Sequence, residues 1–156
     1  MFIHQLLTGR EISLQSDMTK ALKASGFLGL ATMMVVGLYQ FILLSGGTGV
    51  PSWMIGGHAH LGVISILAIV MGFAVPAIGV TGQLRTAVTV LFIAGQWGIP
   101  GVVWIGEGVG LTFLMPTAFL WGLALIASML IMLYKTLTQD PATPGGGVSP
   151  ASLADD

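Results

Sequence analysis

A chain of 156 residues with 7% charged and 54% hydrophobic side chains cannot clothe a water-facing surface, for which about a quarter charged residues is usual. Its formal net charge of −1 and the lack of any basic run offer nothing to nucleic acid. The absence of cysteine excludes disulfides, thiolate metal sites and thioether-linked cofactors, so a metal here would rely on His, Met, carboxylate or backbone oxygen.

Residues 1–23 mix Gln5, Arg10, Glu11, Asp17 and Lys20 and lack the apolar core of a cleavable signal. They read as an interfacial segment that stays on the mature protein, with His4 at its surface. Residues 24–135 then hold four apolar runs of about 20 residues, the length that spans the hydrocarbon core as a helix. These spans fall at roughly 24–44, 58–78, 86–105 and 111–134. They are continuously apolar rather than alternating, which argues against a barrel. Gly and Pro mark a loop at 45–51, and tight turns are expected at 78–83 and 106–110. Residues 136–156, with a Pro-Gly-Gly-Gly centre, are too poor in apolar surface to fold and read as a disordered tail.

The five basic residues are Arg10, Lys20, Lys23, Arg85 and Lys135, all in segments that share one face of a four-span protein. The positive-inside rule makes that face cytoplasmic. The expected fold is an all-α integral membrane four-helix bundle, multi-pass in the cytoplasmic membrane, with both termini cytoplasmic.

Two of the three histidines, His58 and His60, then lie at the outer mouth of the second span, behind Gly56 and Gly57. Ionisable side chains at membrane depth are costly and mark functional sites by default. Residues two apart on a helix face nearly opposite ways, so both rings cannot ligate one ion. His58 is the candidate metal ligand, with His60 facing a second group, a subunit or the interface. Gly62, one turn below His58, leaves room for a flat macrocycle or another helix. A helix N-terminus also favours the neutral, metal-binding imidazole. Tyr39, Gln40, Gln96, Trp97 and Trp104 map to the same half, and Trp97 and Trp104, seven apart, share a face that can stack on a planar group. The plainer reading is a headgroup-level histidine pair with belt tryptophans. Met33, Met34 and Met115 read as packing, with an axial thioether as the sharper alternative. Gly26, Gly29 and Gly37 look like close-packing positions, Pro100 should bend the third span, and Glu107 reads as a solvated carboxylate.

Residues 53–104 resemble styrene oxide isomerase, a small four-helix membrane enzyme. The resemblance rests on His58, on Phe73, Pro76 and Gly79 along the second span, on Arg85 after it, and on Trp97 in the third. It implies heme b, His58 as the axial ligand, and a homo-oligomer with heme near subunit interfaces, where ferric iron acts as a Lewis acid on an epoxide. The family carries asparagines at the positions of Ile64 and Ile99 and a tyrosine at that of Val103, groups that position substrate. The run His58-Ala59-His60-Leu61 is also similar to heme-ligating helices of heme–copper oxidase subunit I.

Three functions follow as expectations. One is a heme enzyme for a small apolar substrate, its cofactor site built from His58, His60, Gly62, Gln96 and Trp97. The second is a non-catalytic heme carrier or accessory subunit serving a redox partner. The third is a structural or lipid-interacting bundle.

Overall fold

The computed structural model describes the backbone of residues 2–138 and side chains from residue 17 onward. His4, the other polar residues before Asp17 and the tail from residue 139 fall outside that description. Helix α1 runs without a break over Phe2–Ser45, and α2 covers Ser52–Ala77. Helix α3 covers Gly82–Val103 and passes into a π-helical turn, Trp104–Gly108. A 3-10 segment, Thr112–Thr117, leads into α4, Ala118–Thr138. The protein is an all-α four-helix bundle.

Four stretches are long and apolar enough to cross a membrane: Asp17–Ser45, Ser52–Ala77, Gly82–Gly108 and Thr112–Thr138. At 1.5 Å per residue, the 26 residues of α2 reach about 39 Å, beyond the ~30 Å hydrocarbon core. The packing is inside-out relative to a water-soluble bundle. Phe119, Phe113 and Val35 are 80%, 73% and 67% exposed, whereas Gln96, Ser65 and Ser128 are fully buried. That distribution suits lipid, where polar side chains turn inward to find partners.

Helix ends follow from local chemistry. At the end of α2, Val80 N–H donates to Val75 O (3.1 Å) and Gly79 N–H to Pro76 O (3.0 Å), a Schellman closure. It needs the left-handed φ of 69° at Gly79, which glycine adopts without steric cost. Val75 and Val80 both belong to the apolar core, together with Leu22, Met71, Val88 and Phe92. This core lies towards the basic end of the bundle. Arg85, expected in the linker, is instead buried in the first turn of α3, its Nε donating to Val80 O at 2.7 Å.

Helix α1 packs mainly on α2, α3 touches both, and α4 lies chiefly on α3. Two expected boundaries move. Helix α2 starts six residues before His58, with Pro51 as its N-cap, because Gly56 and Gly57 continue the helix rather than end a loop. The expected turn at Gly106 and Glu107 is helical, widened to π geometry after the buried Pro100, and the chain turns at Gly110.

Candidate functional site

The end of the bundle opposite the core is built from aromatic and polar side chains. Helical periodicity sends His58 towards α1, where Gly37 receives it: a Cβ built on Gly37 would lie 3.0 Å from His58 Cε1. The ring is half-buried between α1 and α2, and its Nδ1 is sealed without a hydrogen-bond partner. Trp104 Nε1 is a second sealed, unpartnered atom. Its indole lies on Gly57, where any side chain would collide with it. Each such orphan costs roughly 1–3 kcal/mol of desolvation.

Next to these groups is a cleft of about 260 Å³ lined by Val35, Val36, Tyr39, Trp53, Met54 and Trp104. Gln40 Nε2 donates to Met54 O at 3.0 Å and ties α1 to the start of α2. The Trp53 ring covers Gly108, where a Cβ would meet it at 3.0 Å. The π turn thus carries Trp104 onto Gly57 and Gly108 under Trp53. Widened turns of this kind are frequent at functional sites. Trp53, read from the sequence only as a belt residue, belongs to this cleft.

His60 points the other way, as a rotation of about 200° over two residues requires. It is exposed, and its Nδ1 lies 2.7 Å from Gly56 O. The macrodipole argument for these rings falls away, because they sit beyond the first turn of α2, to which that effect is confined.

Two expected members of the site lie elsewhere, and the room expected at a third, Gly62, is filled. Gln96 and Trp97 are at mid-span with Ser25 of α1 and Ser65 of α2. Ser25 Oγ donates to Gln96 Oε1 at 2.8 Å, and Gln96 Nε2 donates to Ser25 O and Ser65 Oγ, each at 3.0 Å. Trp97 Nε1 donates to Ser25 Oγ at 2.9 Å. Ser65 follows His58 by seven residues on α2, so this layer is about 10 Å below the ring. Trp97 and Trp104 therefore do not flank one planar group. The space at Gly62 is taken by Met33 of α1, whose Cγ and Cε would lie 3.3 Å from a Cβ there. Small residues here admit a helix, and the macrocycle is left no room at Gly62. Ser25 and Ser65 were missed because a serine in an apolar span carries no pattern of its own.

A second concavity, about 400 Å³ and wholly apolar in its lining, runs between α2 and α4 over α3. Ile64, Leu67, Phe92, Leu125 and Leu130 are among its walls. Ile99 lines a neighbouring cavity of about 320 Å³ with Phe119 and Gly122 of α4.

This is a bundle of membrane-crossing dimensions with an aromatic and histidine cluster at one end. The sequence matches, over residues 18–156, the family described as a domain of unknown function (DUF8059), and the chain belongs to that family. No curated protein and no solved structure matches it.

Proposed function

We propose that the chain is a multi-pass protein of the cytoplasmic membrane, both termini cytoplasmic, which binds heme b at the outer end of α2 as a homo-oligomer. Orientation is supported by the charges. Lys20 and Lys23 of α1, Arg85 at the start of α3 and Lys135 at the end of α4 share one end of the antiparallel bundle, opposite Glu107. Lys23 Nζ lies 3.9 Å from the Phe73 ring centroid, which brings the basic start of the first span against the last turns of α2.

The observation that supports heme binding is the His58 imidazole, held at the aromatic end of the bundle with its sealed Nδ1 unpartnered; an iron held there by one imidazole would take its remaining donors from a tetrapyrrole. The surroundings of that ring suit a planar aromatic group: a cleft walled by Tyr39, Trp53 and Trp104 lies next to it. The resemblance to styrene oxide isomerase assigns the axial role to His58.

When bound, ferric heme supplies a Lewis acid for an epoxide oxygen, and the chain must orient a small apolar substrate around it. Of the side chains able to do this, Gln96 is committed to two serines and Gln40 to Met54 O. Tyr39, on the cleft wall, has no hydrogen bond among the described residues and is the remaining polar handle. Ile64 and Ile99, where the isomerases have asparagines, line apolar cavities. That favours a second reading, a non-catalytic heme carrier or accessory subunit facing a redox partner.

The test is spectroscopic. Full chain purified in mild detergent from heme-replete cells is expected to show a Soret band, oxidised and reduced. A protein without heme absorbance refutes the proposal. Conversion of an aryl epoxide by the loaded protein, abolished in Tyr39→Phe, selects the enzyme. Reversible reduction without turnover selects the carrier.

A further inference from the structure

We infer that the cleft walled by Tyr39, Trp53 and Trp104 binds a quaternary ammonium ion. The site goes beyond the heme reading and stands whether or not iron binds at His58, which is not among its walls. Aromatic residues near a membrane surface commonly form a belt turned to the headgroups. These three are arranged differently. The Trp104 indole is turned onto Gly57 of α2 and the Trp53 ring covers Gly108 of the π turn. With Tyr39 of α1 they enclose about 260 Å³, and Val35, Val36 and Met54 complete the walls. The faces of aromatic rings attract cations, Trp most strongly, and the attraction grows as water is excluded. Three rings from three elements around one small space favour a positive guest.

Two further observations narrow the chemistry. The first is charge. Lys20, Lys23, Arg85 and Lys135 all lie at the opposite end of the bundle, and across residues 39–60 and 97–118 the one Asp, Glu, Lys or Arg is Glu107. Glu107 adjoins Gly108, which Trp53 covers, and it has no ion pair among the described residues. An anion would be repelled here, and a cation meets a counter-charge. The second is the shortage of acceptors. Of the six wall residues only Tyr39 carries a side-chain oxygen. A primary ammonium has three N–H donors and would give up hydrogen bonds to water without replacing them. A quaternary ammonium has no N–H group, and its methyl groups suit Val35, Val36 and Met54. The mouth is open, since Tyr39 and Val35 are 51% and 67% exposed.

The test is equilibrium binding of labelled choline to the full chain in non-ionic detergent, with the uncharged isostere in which carbon replaces the nitrogen as competitor. Saturable binding is expected, with little competition from the isostere. Tyr39→Leu and Trp53→Leu should each weaken it about 2- to 30-fold, the range of one cation–π contact, whereas Tyr39→Phe and Trp53→Phe, which keep a ring, should stay close to wild type. Tyr39 is half-exposed, so its substitutions should leave the fold intact. Glu107→Gln should weaken binding and flatten its dependence on salt. The source of the guest is read in bilayers of phosphatidylglycerol with either phosphatidylethanolamine or phosphatidylcholine. Choline binding lost only with phosphatidylcholine identifies a lipid headgroup, and equal binding in both identifies a free cation. No saturable binding, an isostere as effective as choline, or leucine variants that bind like wild type overturn the proposal and leave the three rings as belt residues.

Discussion

Replacing Gln96 by leucine probes whether the mid-span polar layer holds the helices together. Gln96 is fully buried and takes part in three hydrogen bonds, to Ser25 Oγ, Ser25 O and Ser65 Oγ. Interhelical hydrogen bonds within membranes average about 0.6 kcal/mol, with an upper value of about 1.7. Three of them amount to about 2 kcal/mol, roughly a thirtyfold change in an equilibrium constant. Leucine has nearly the right volume, and the released serine hydroxyls can fall back on carbonyls of their own helices, so little is added for orphaned groups. The expected loss on Gln96→Leu is therefore about 2 kcal/mol, read as a lower midpoint in detergent or steric-trap unfolding. A cycle with Ser25→Ala isolates the pair: it should show a coupling of about 0.6 kcal/mol, from which the bond of Trp97 to Ser25 Oγ cancels. Unfolding of Gln96→Leu indistinguishable from wild type, with zero coupling to Ser25→Ala, would refute the idea that this layer ties α1, α2 and α3.

Two further outcomes are expected. Gly57→Ala drives a methyl into the Trp104 indole; overpacking of this kind costs about 1–3 kcal/mol, and displacement of the ring should shift tryptophan emission relative to wild type. Unchanged stability and emission would mean that Trp104 is not seated on Gly57. Because the chain has no cysteine, single-cysteine labelling reads topology directly. In right-side-out vesicles, Glu107→Cys should react with an impermeant maleimide and Lys135→Cys should not, and the reverse pattern would invert the proposed orientation.

Much of the architecture was legible before any coordinates. Lipid acts on each residue separately, so runs of apolar side chains announce spans without knowledge of their neighbours. The glycines of α1 were also readable: Gly26, Gly29 and Gly37 each meet a side chain of α2 at close range. So was the divergence of His58 and His60, which is a property of one helix. The start of α2 was not, because Gly56 and Gly57 look like linker residues until Trp104 is seen resting on Gly57. Arg85 was placed in a loop for a similar reason, since its partner Val80 O exists only once the turn has closed.

The linear order of residues determined the number of apolar spans, the polarity of the two ends and which side chains share a stripe. These depend on local composition and on a fixed angular step. Only the tertiary structure decided which stripes meet. Ser25 and Gln96 are 71 residues apart, and their bond depends on how far each helix is rotated and shifted along its axis. The same rotation covers His58 with α1 and leaves His60 uncovered, because axial register is set by contacts between distant segments and leaves no periodic trace in either one.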